Sequence, residues 1–220
     1  LTKCITKSQQ IKKLVFTEED FNELVKLDKP VFCLNVKNLN DEATLSYINY
    51  GERKGYNNRY LTKNRSPWFK VEHRRRAPIL FGVFNRGRLK VVRNYSSAIN
   101  FTCYHSFYPN IFGMNVLNKL FVYLISDIGQ KIIQLNKRIY GDKLDKFEPR
   151  DLNDAKCPNF EQLNLITDAE ANEVIELAKN DEKRAIEVSN RLIERILNVQ
   201  QSAPADRQSA GVHPLVAGFH

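Results

Sequence analysis

The sequence predicts an α+β fold: a twisted, mostly antiparallel sheet laid on a long helix, with a C-terminal helical pair after it. Three observations carry this expectation. Between residues 31 and 108, short apolar runs rich in β-branched and aromatic residues alternate with turn signals, which is the pattern of strands. From 115 to 139 the apolar period becomes that of a helix. Between 168 and 199 two further helical patterns follow cap signals. Hydrophobic residues make up 42% of the 220, enough for a core and too many for a disordered chain.

Taken in order, Thr17-Glu-Glu-Asp20 opens a helix, with Thr17 as N-cap and Asp20 in the place of the usual Glu or Gln. Phe21, Leu24, Val25 and Leu27 form its apolar face, and Lys29-Pro30 ends it. Residues 31–36 (VFCLNV) read as a strand, 38–41 as a turn and 43–50 as a helix. Residues 68–73, 79–85 and 89–93 read as strands, with Pro67 and Pro78 at strand starts where a missing N–H is tolerated. Asn85-Arg-Gly-Arg88 is a hairpin signal in which Gly87 takes the positive-φ position. Residues 99–108 alternate, and Leu117, Leu120, Leu124, Ile128, Ile132, Leu135 and Ile139 then mark one helix of six or seven turns ending at Gly141. Thr167-Asp-Ala-Glu170 is a capping box for the first C-terminal helix, and Asn180-Asp-Glu caps the second. The elements group into a connecting segment (1–30), a main domain (31–160), C-terminal helices (161–200) and an aperiodic, flexible tail (201–220).

Charge is concentrated rather than spread. The window 51–93 holds thirteen Lys/Arg against Glu52 and Glu72, a net of +11 where the whole chain carries +9, so the remainder sums to −2. Tyr56, Tyr60, Trp68, Phe69, Phe81 and Phe84 are interleaved with these cations, and Trp68 is the only tryptophan. Basic residues with planar side chains among them are the footprint of a polyanion binder.

Other chemistries lack their residues. The sequence has no P-loop, no strand-linked glycine fingerprint and no pair of histidines at helical spacing. Cys103 and His105 share a predicted strand face but have no further ligands at readable spacing, so core lining accounts for them. A metal-dependent nuclease site would have to use Asp41, Glu52 and Lys54. Cys4, Cys33, Cys103 and Cys157 are far apart, which speaks against zinc or a disulfide framework and fits a reducing cytoplasm. No run of eighteen apolar residues marks a membrane span, and the N-terminus is not a signal peptide. The missing initiator Met points to a piece of a longer protein.

Several features recur together. They are Tyr47-x-x-x-Gly51-x-x-x-Gly55, Arg59-Tyr60, Arg65-x-x-Trp68-Phe69, the Arg74–Arg76 run, Pro78 and Arg93-Asn94. The 115–139 helix follows, then Glu148-Pro-x-Asp-Leu152 and Pro158. Over residues 30–160 the chain resembles the C-terminal, target-recognition portion of bacterial adenine-specific DNA methyltransferases of restriction–modification systems. In that family catalysis belongs to an N-terminal domain that binds S-adenosylmethionine and grips the flipped adenine with an Asn/Asp-Pro-Pro-aromatic loop. This sequence has no adjacent prolines, so the resemblance implies a recognition fragment without catalytic residues, metal or cofactor of its own. Its implied partners are double-stranded DNA and the missing catalytic domain.

Candidate DNA-contacting residues are Arg59, Lys63, Arg65, Trp68, Lys70, Arg74, Arg75, Arg76, Arg86 and Arg88, with Asn94 and Asn100. Arginine suits guanine edges and phosphates, and asparagine suits adenine. Three alternatives stay open: half of a specificity subunit, with 168–199 as a spacer helix; the nuclease above; and an RNA-binding module using the aromatics.

Overall fold

A computed structural model describes residues 1–36, 39–141, 144–201, 213–214 and 217–219. Its first element is strand β1 (Thr2–Ile5), followed by β2 (Val15–Phe16), helix α1 (Glu18–Lys26), β3 (Phe32–Cys33) and α2 (Glu42–Arg53). The central strands are β4 (Ile79–Gly82), β5 (Phe84–Asn85), β6 (Val91–Asn94), β7 (Ile99–Asn100) and β8 (Tyr104–Pro109). Then come α3 (Ile111–Asn115), α4 (Leu117–Ile125), α5 (Asp127–Gln134), β9 (Arg138–Tyr140) and β10 (Leu144–Lys146). The C-terminal part has α6 (Pro149–Asn153), β11 (Lys156–Cys157), α7 (Phe160–Leu163), α8 (Asp168–Asn180) and α9 (Glu182–Gln201), then β12 (His213–Pro214) and β13 (Ala217–Phe219).

The central sheet has the order β13-β8-β4-β6-β2. Its pairs are antiparallel except β2 with β6, with Ile79 opposite Arg93 on one side and Phe107 on the other. Both faces are covered, and the two-residue alternation of a strand sorts the side chains. Val15, Ile79, Phe81, Val91 and Phe107 enter one core with α4, α5, α8 and α9. Phe16, Leu80, Val92 and Tyr104 enter a second with Ile5, Ile11, Phe21 and Val31. Smaller sheets, β3-β1-β7 and β5-β10-β9, flank this frame.

The α+β fold is as the sequence predicted, and so are both capping boxes. Thr17 Oγ1 accepts from Asp20 N at 3.2 Å, and Thr167 Oγ1 accepts from Glu170 N at 3.2 Å. Asp181, between the C-terminal helices, accepts from Arg184 N at 3.0 Å.

Four elements differ from expectation, each for a local reason. The long helix is two: α4 ends at Ile125, and extended Ser126 caps α5 by accepting from Gly129 N at 3.0 Å. Gly129 permits the corner, since a Cβ there would lie 2.0 Å from the Tyr123 carbonyl oxygen. α4 is apolar nearly all round and is buried between the sheet and α8 and α9. Residues 68–73 are not a strand, because the adjacent Trp68 and Phe69 both line one recess, which strand alternation forbids. Residues 99–108 turn at 101–103, where Tyr104 N donates to Phe101 O, so β7 pairs with β1 and β8 with β4. The 31–36 strand shortens to β3, and Asn38 of the expected turn lies outside the described residues.

The segment boundaries drawn from sequence cross shared structure. Residues 1–30 supply strands to two sheets and several core side chains, while α8 and α9 share a core with the central strands. Within 201–220, β12 pairs with β11 and β13 with β8. Residues 202–212, 215–216 and 220 lie outside the described residues.

Candidate nucleic-acid interface

The basic window divides physically at Ala77. Upstream of it, the described residues between 34 and 76 form a lobe built around α2. Asp41 caps α2, accepting from Thr44 N at 2.9 Å, and Gly55 leaves it in the left-handed conformation (φ 69°). The chain then makes a one-turn 3₁₀ helix at Tyr56–Asn58 and folds back irregularly. Trp68 closes the lobe. Its indole lies over Gly51, where a Cβ would sit 2.7 Å from the ring, and its Nε1 donates to Glu52 at 3.0 Å. Thr62 Oγ1 donates to Tyr56 O and Arg65 donates to Lys70 O at 3.2 Å, bracing the return. Among the described residues, none between Val31 and Ala77 belongs to either hydrophobic core.

The cations of this lobe point outward. Arg53, Lys54, Arg59, Lys63, Arg65 and Lys70 are exposed and have no acidic partner among the described residues. Several lie over aromatic faces instead: Arg59 over Tyr56 at 4.2 Å, Lys63 over Tyr60 at 5.7 Å and Lys54 over Tyr50 at 5.7 Å. Such contacts orient a cation without neutralising it. Arg75 and Arg76, at the junction with the sheet, are exposed too; Arg75 lies over Tyr108, whose hydroxyl donates to Arg75 O at 2.7 Å. Arg86 is exposed in the turn where Gly87 takes φ 85°, as the sequence predicted.

Downstream of Ala77 the cations other than Arg86 are tied to the rest of the protein. Arg88 is ion-paired with Asp127 and donates to Ile125 O at the end of α4. Lys90 donates to Ser8 O and Ile11 O, and burial pushes its ammonium pKa down. Arg93 donates to Pro78 O at 2.9 Å and to Asn118 Oδ1 at 3.0 Å, lies over Tyr95, and is likewise lowered by burial.

The candidate residues therefore separate. Arg59, Lys63, Arg65, Lys70, Arg75, Arg76 and Arg86 share exposed positions, with Trp68 half-buried as the lobe's anchor. Arg74 is half-buried and held by Glu72 at 2.8 Å. Arg88 is engaged as described. Asn94 and Asn100 are corrected from base readers to framework. Asn94 is 1% exposed, donates to Ala77 O and Ala98 O, and accepts from Ser96. Asn100 is 1% exposed, donates to Tyr104 O at 2.8 Å and accepts from Ser106 at 2.9 Å. In both, every polar atom is already used inside the fold.

The nuclease alternative fails on geometry. Asp41 and Glu52 lie at opposite ends of α2. Eleven residues of helix separate them by about 16 Å, too far to hold one cation. The spacer-helix alternative fares no better, because α8 and α9 turn Val174, Ile175, Ala185, Leu192, Ile193 and Ile196 into the main core. Arg53 and Lys54 were not among the DNA-contacting candidates named from sequence, where Lys54 entered only the nuclease alternative. Their signal, basic residues closing a helix between two glycines, is weak without knowing that the helix leaves the core.

The family described as type II methyltransferase M.Eco57I, C-terminal domain, matches residues 1–197. The type II methyltransferase M.AccI of Acinetobacter calcoaceticus is 37% identical over 210 residues, 92% of this chain. The chain spans 38% of the length of that relative.

Proposed function

The chain belongs to the family of M.Eco57I-type methyltransferase C-terminal domains, and on that premise we propose that it is the DNA target-recognition part of an adenine-specific methyltransferase. The exposed cations of the lobe, with Arg75, Arg76 and Arg86, clamp phosphates and hold the duplex in register. Arg75, Arg76 and Arg86, at the sheet junction and a hairpin tip, are the candidates for reading guanine edges. Methyl transfer and S-adenosylmethionine belong to a catalytic domain N-terminal to this chain, in the cytoplasm. A base inside the stack is out of reach of such chemistry, so extrusion there requires the rest of the duplex to be held here. Recognition is centred on residues 31–160, with 1–30 leading in from the catalytic domain and 161–200 bracing the sheet.

One observation carries this reading: nine cations of one window are exposed without acidic partners among the described residues, while the other four are held by carboxylates or backbone carbonyls. Solvated cations left unneutralised in this way bind by releasing counterions from a polyanion. Fluorescence anisotropy of a labelled duplex tests it. With about six phosphate contacts, affinity falls on the order of a thousandfold between 50 and 200 mM salt. Binding that stays flat over that range removes the electrostatic reading.

A further inference from the structure

The lobe carries a recess of about 240 Å³ walled by Tyr47, Tyr50, Tyr56, Trp68 and Phe69, with Arg65 at its edge. We propose that this recess receives a single nucleobase displaced from the DNA stack, a proposal that rests on reading the lobe as a DNA surface.

The walls suit a flat, π-faced ligand. Tyr47 and Tyr50 are stacked at 6.4 Å with 27° between their planes, and Trp68 meets Phe69 edge-on at 5.8 Å. Tyr47 is 63% exposed, so its ring is open to a partner. The indole that forms the back wall is fixed from both sides, by Gly51 beneath it and by the Nε1–Glu52 hydrogen bond. A volume of 240 Å³ is below the ~300–1,000 Å³ of drug-sized sites, and so fits one heteroaromatic ring system rather than an extended molecule.

Charge decides between the ligands that aromatic cages take. A quaternary or methylated ammonium is repelled by cations already standing at the same walls. Here Lys54 already lies over Tyr50 and Arg59 over Tyr56, and the nearby carboxylate of Glu52 is committed to Trp68. A base attached to a phosphate backbone reverses the sign. Its ring stacks on the walls while its phosphates meet Arg65, Arg59 and Lys54, the combination used by single-strand binding surfaces.

Trp68 is the only tryptophan, so its emission reports on the recess directly. The test uses the whole chain and three hairpin duplexes of one sequence: fully paired, with one bulged adenine, and with a bulged abasic residue. We expect all three to bind. The bulged adenine should bind about tenfold tighter, as stacking of one further base gives, and should quench Trp68. The paired and abasic duplexes should do neither. Tyr47→Ala should abolish the tenfold gain and leave affinity for the paired duplex in place. Equal affinity and equal emission for the bulged adenine and abasic duplexes would overturn the recess proposal while duplex binding stands. Failure of all three to bind would overturn both readings.

Discussion

The two halves of the basic window use the same residue types for opposite ends. In the lobe before Ala77, arginine and lysine stand in solvent over tyrosine rings, on a framework held by one glycine–tryptophan contact and a few hydrogen bonds. In the sheet after it, Arg88, Lys90 and Arg93 donate to backbone carbonyls of neighbouring segments, at Ile125, Ser8 and Pro78. Charge density along the chain is nearly uniform across the boundary. What differs is depth: the sheet has both faces buried, so a cation there must be paired or hydrogen-bonded to be tolerated, whereas the described residues of the lobe enter neither hydrophobic core. A basic cluster in a sequence thus counts cations without telling which are available to a partner.

Removing charge from each side breaks or sharpens the contrast. The largest effect is expected in the lobe. Replacing Arg53, Lys54, Arg59 and Lys63 together by Ala should flatten the slope of log affinity against log salt by about 3–4, near 0.9 for each phosphate no longer neutralised. Stability should move by no more than about 0.5 kcal/mol per site. An unchanged slope would place the DNA elsewhere. Arg93→Ala should do the reverse, lowering stability by about 2 kcal/mol through loss of charge-assisted hydrogen bonds to Pro78 and Asn118. It should leave the salt slope alone, and a shift in the denaturant midpoint at constant m would show it. If Arg93→Ala weakens DNA binding and not the fold, the division at Ala77 is wrong.

The smallest effect concerns a cation tied down far from the window. Arg195 on α9 pairs with Glu170 at the start of α8 and holds its carboxyl at about 2. A folded-state pKa below the unfolded value of 4.5 means stability that is present above pH 4.5 and lost as pH falls towards 2. Glu170→Gln preserves the capping box. It should therefore narrow the difference in melting temperature between variant and parent steadily across that window. A constant difference from pH 6 to pH 2 would mean that the pair contributes nothing through its charge.

Much of the frame was legible from local pattern. Thr17 and Thr167 announce their helices because capping is decided within four residues. The odd and even positions of β4 and β6 announce the two faces of the sheet because strand alternation is fixed by backbone geometry. The corner at Ser126 was also written locally, as a capping Ser followed three residues later by Gly, but seven apolar residues at continuous helical spacing masked it.

The candidate site was legible only as a count. The sequence by itself determined the fold class, the resemblance carried by the 47–94 residues, and the presence of thirteen cations among aromatics in one window. Only the tertiary structure decided which of them face solvent. It buried Asn94 and Asn100 and bound Arg88, Lys90 and Arg93 to carbonyls and carboxylates. It also gathered Tyr47, Tyr50, Tyr56, Trp68 and Phe69 around one recess. The physical reason is that exposure depends on contacts between residues far apart in the chain. Asn118 lies 25 positions from Arg93, Asp127 lies 39 from Arg88, and Ser8 lies 82 from Lys90. No local pattern encodes those separations.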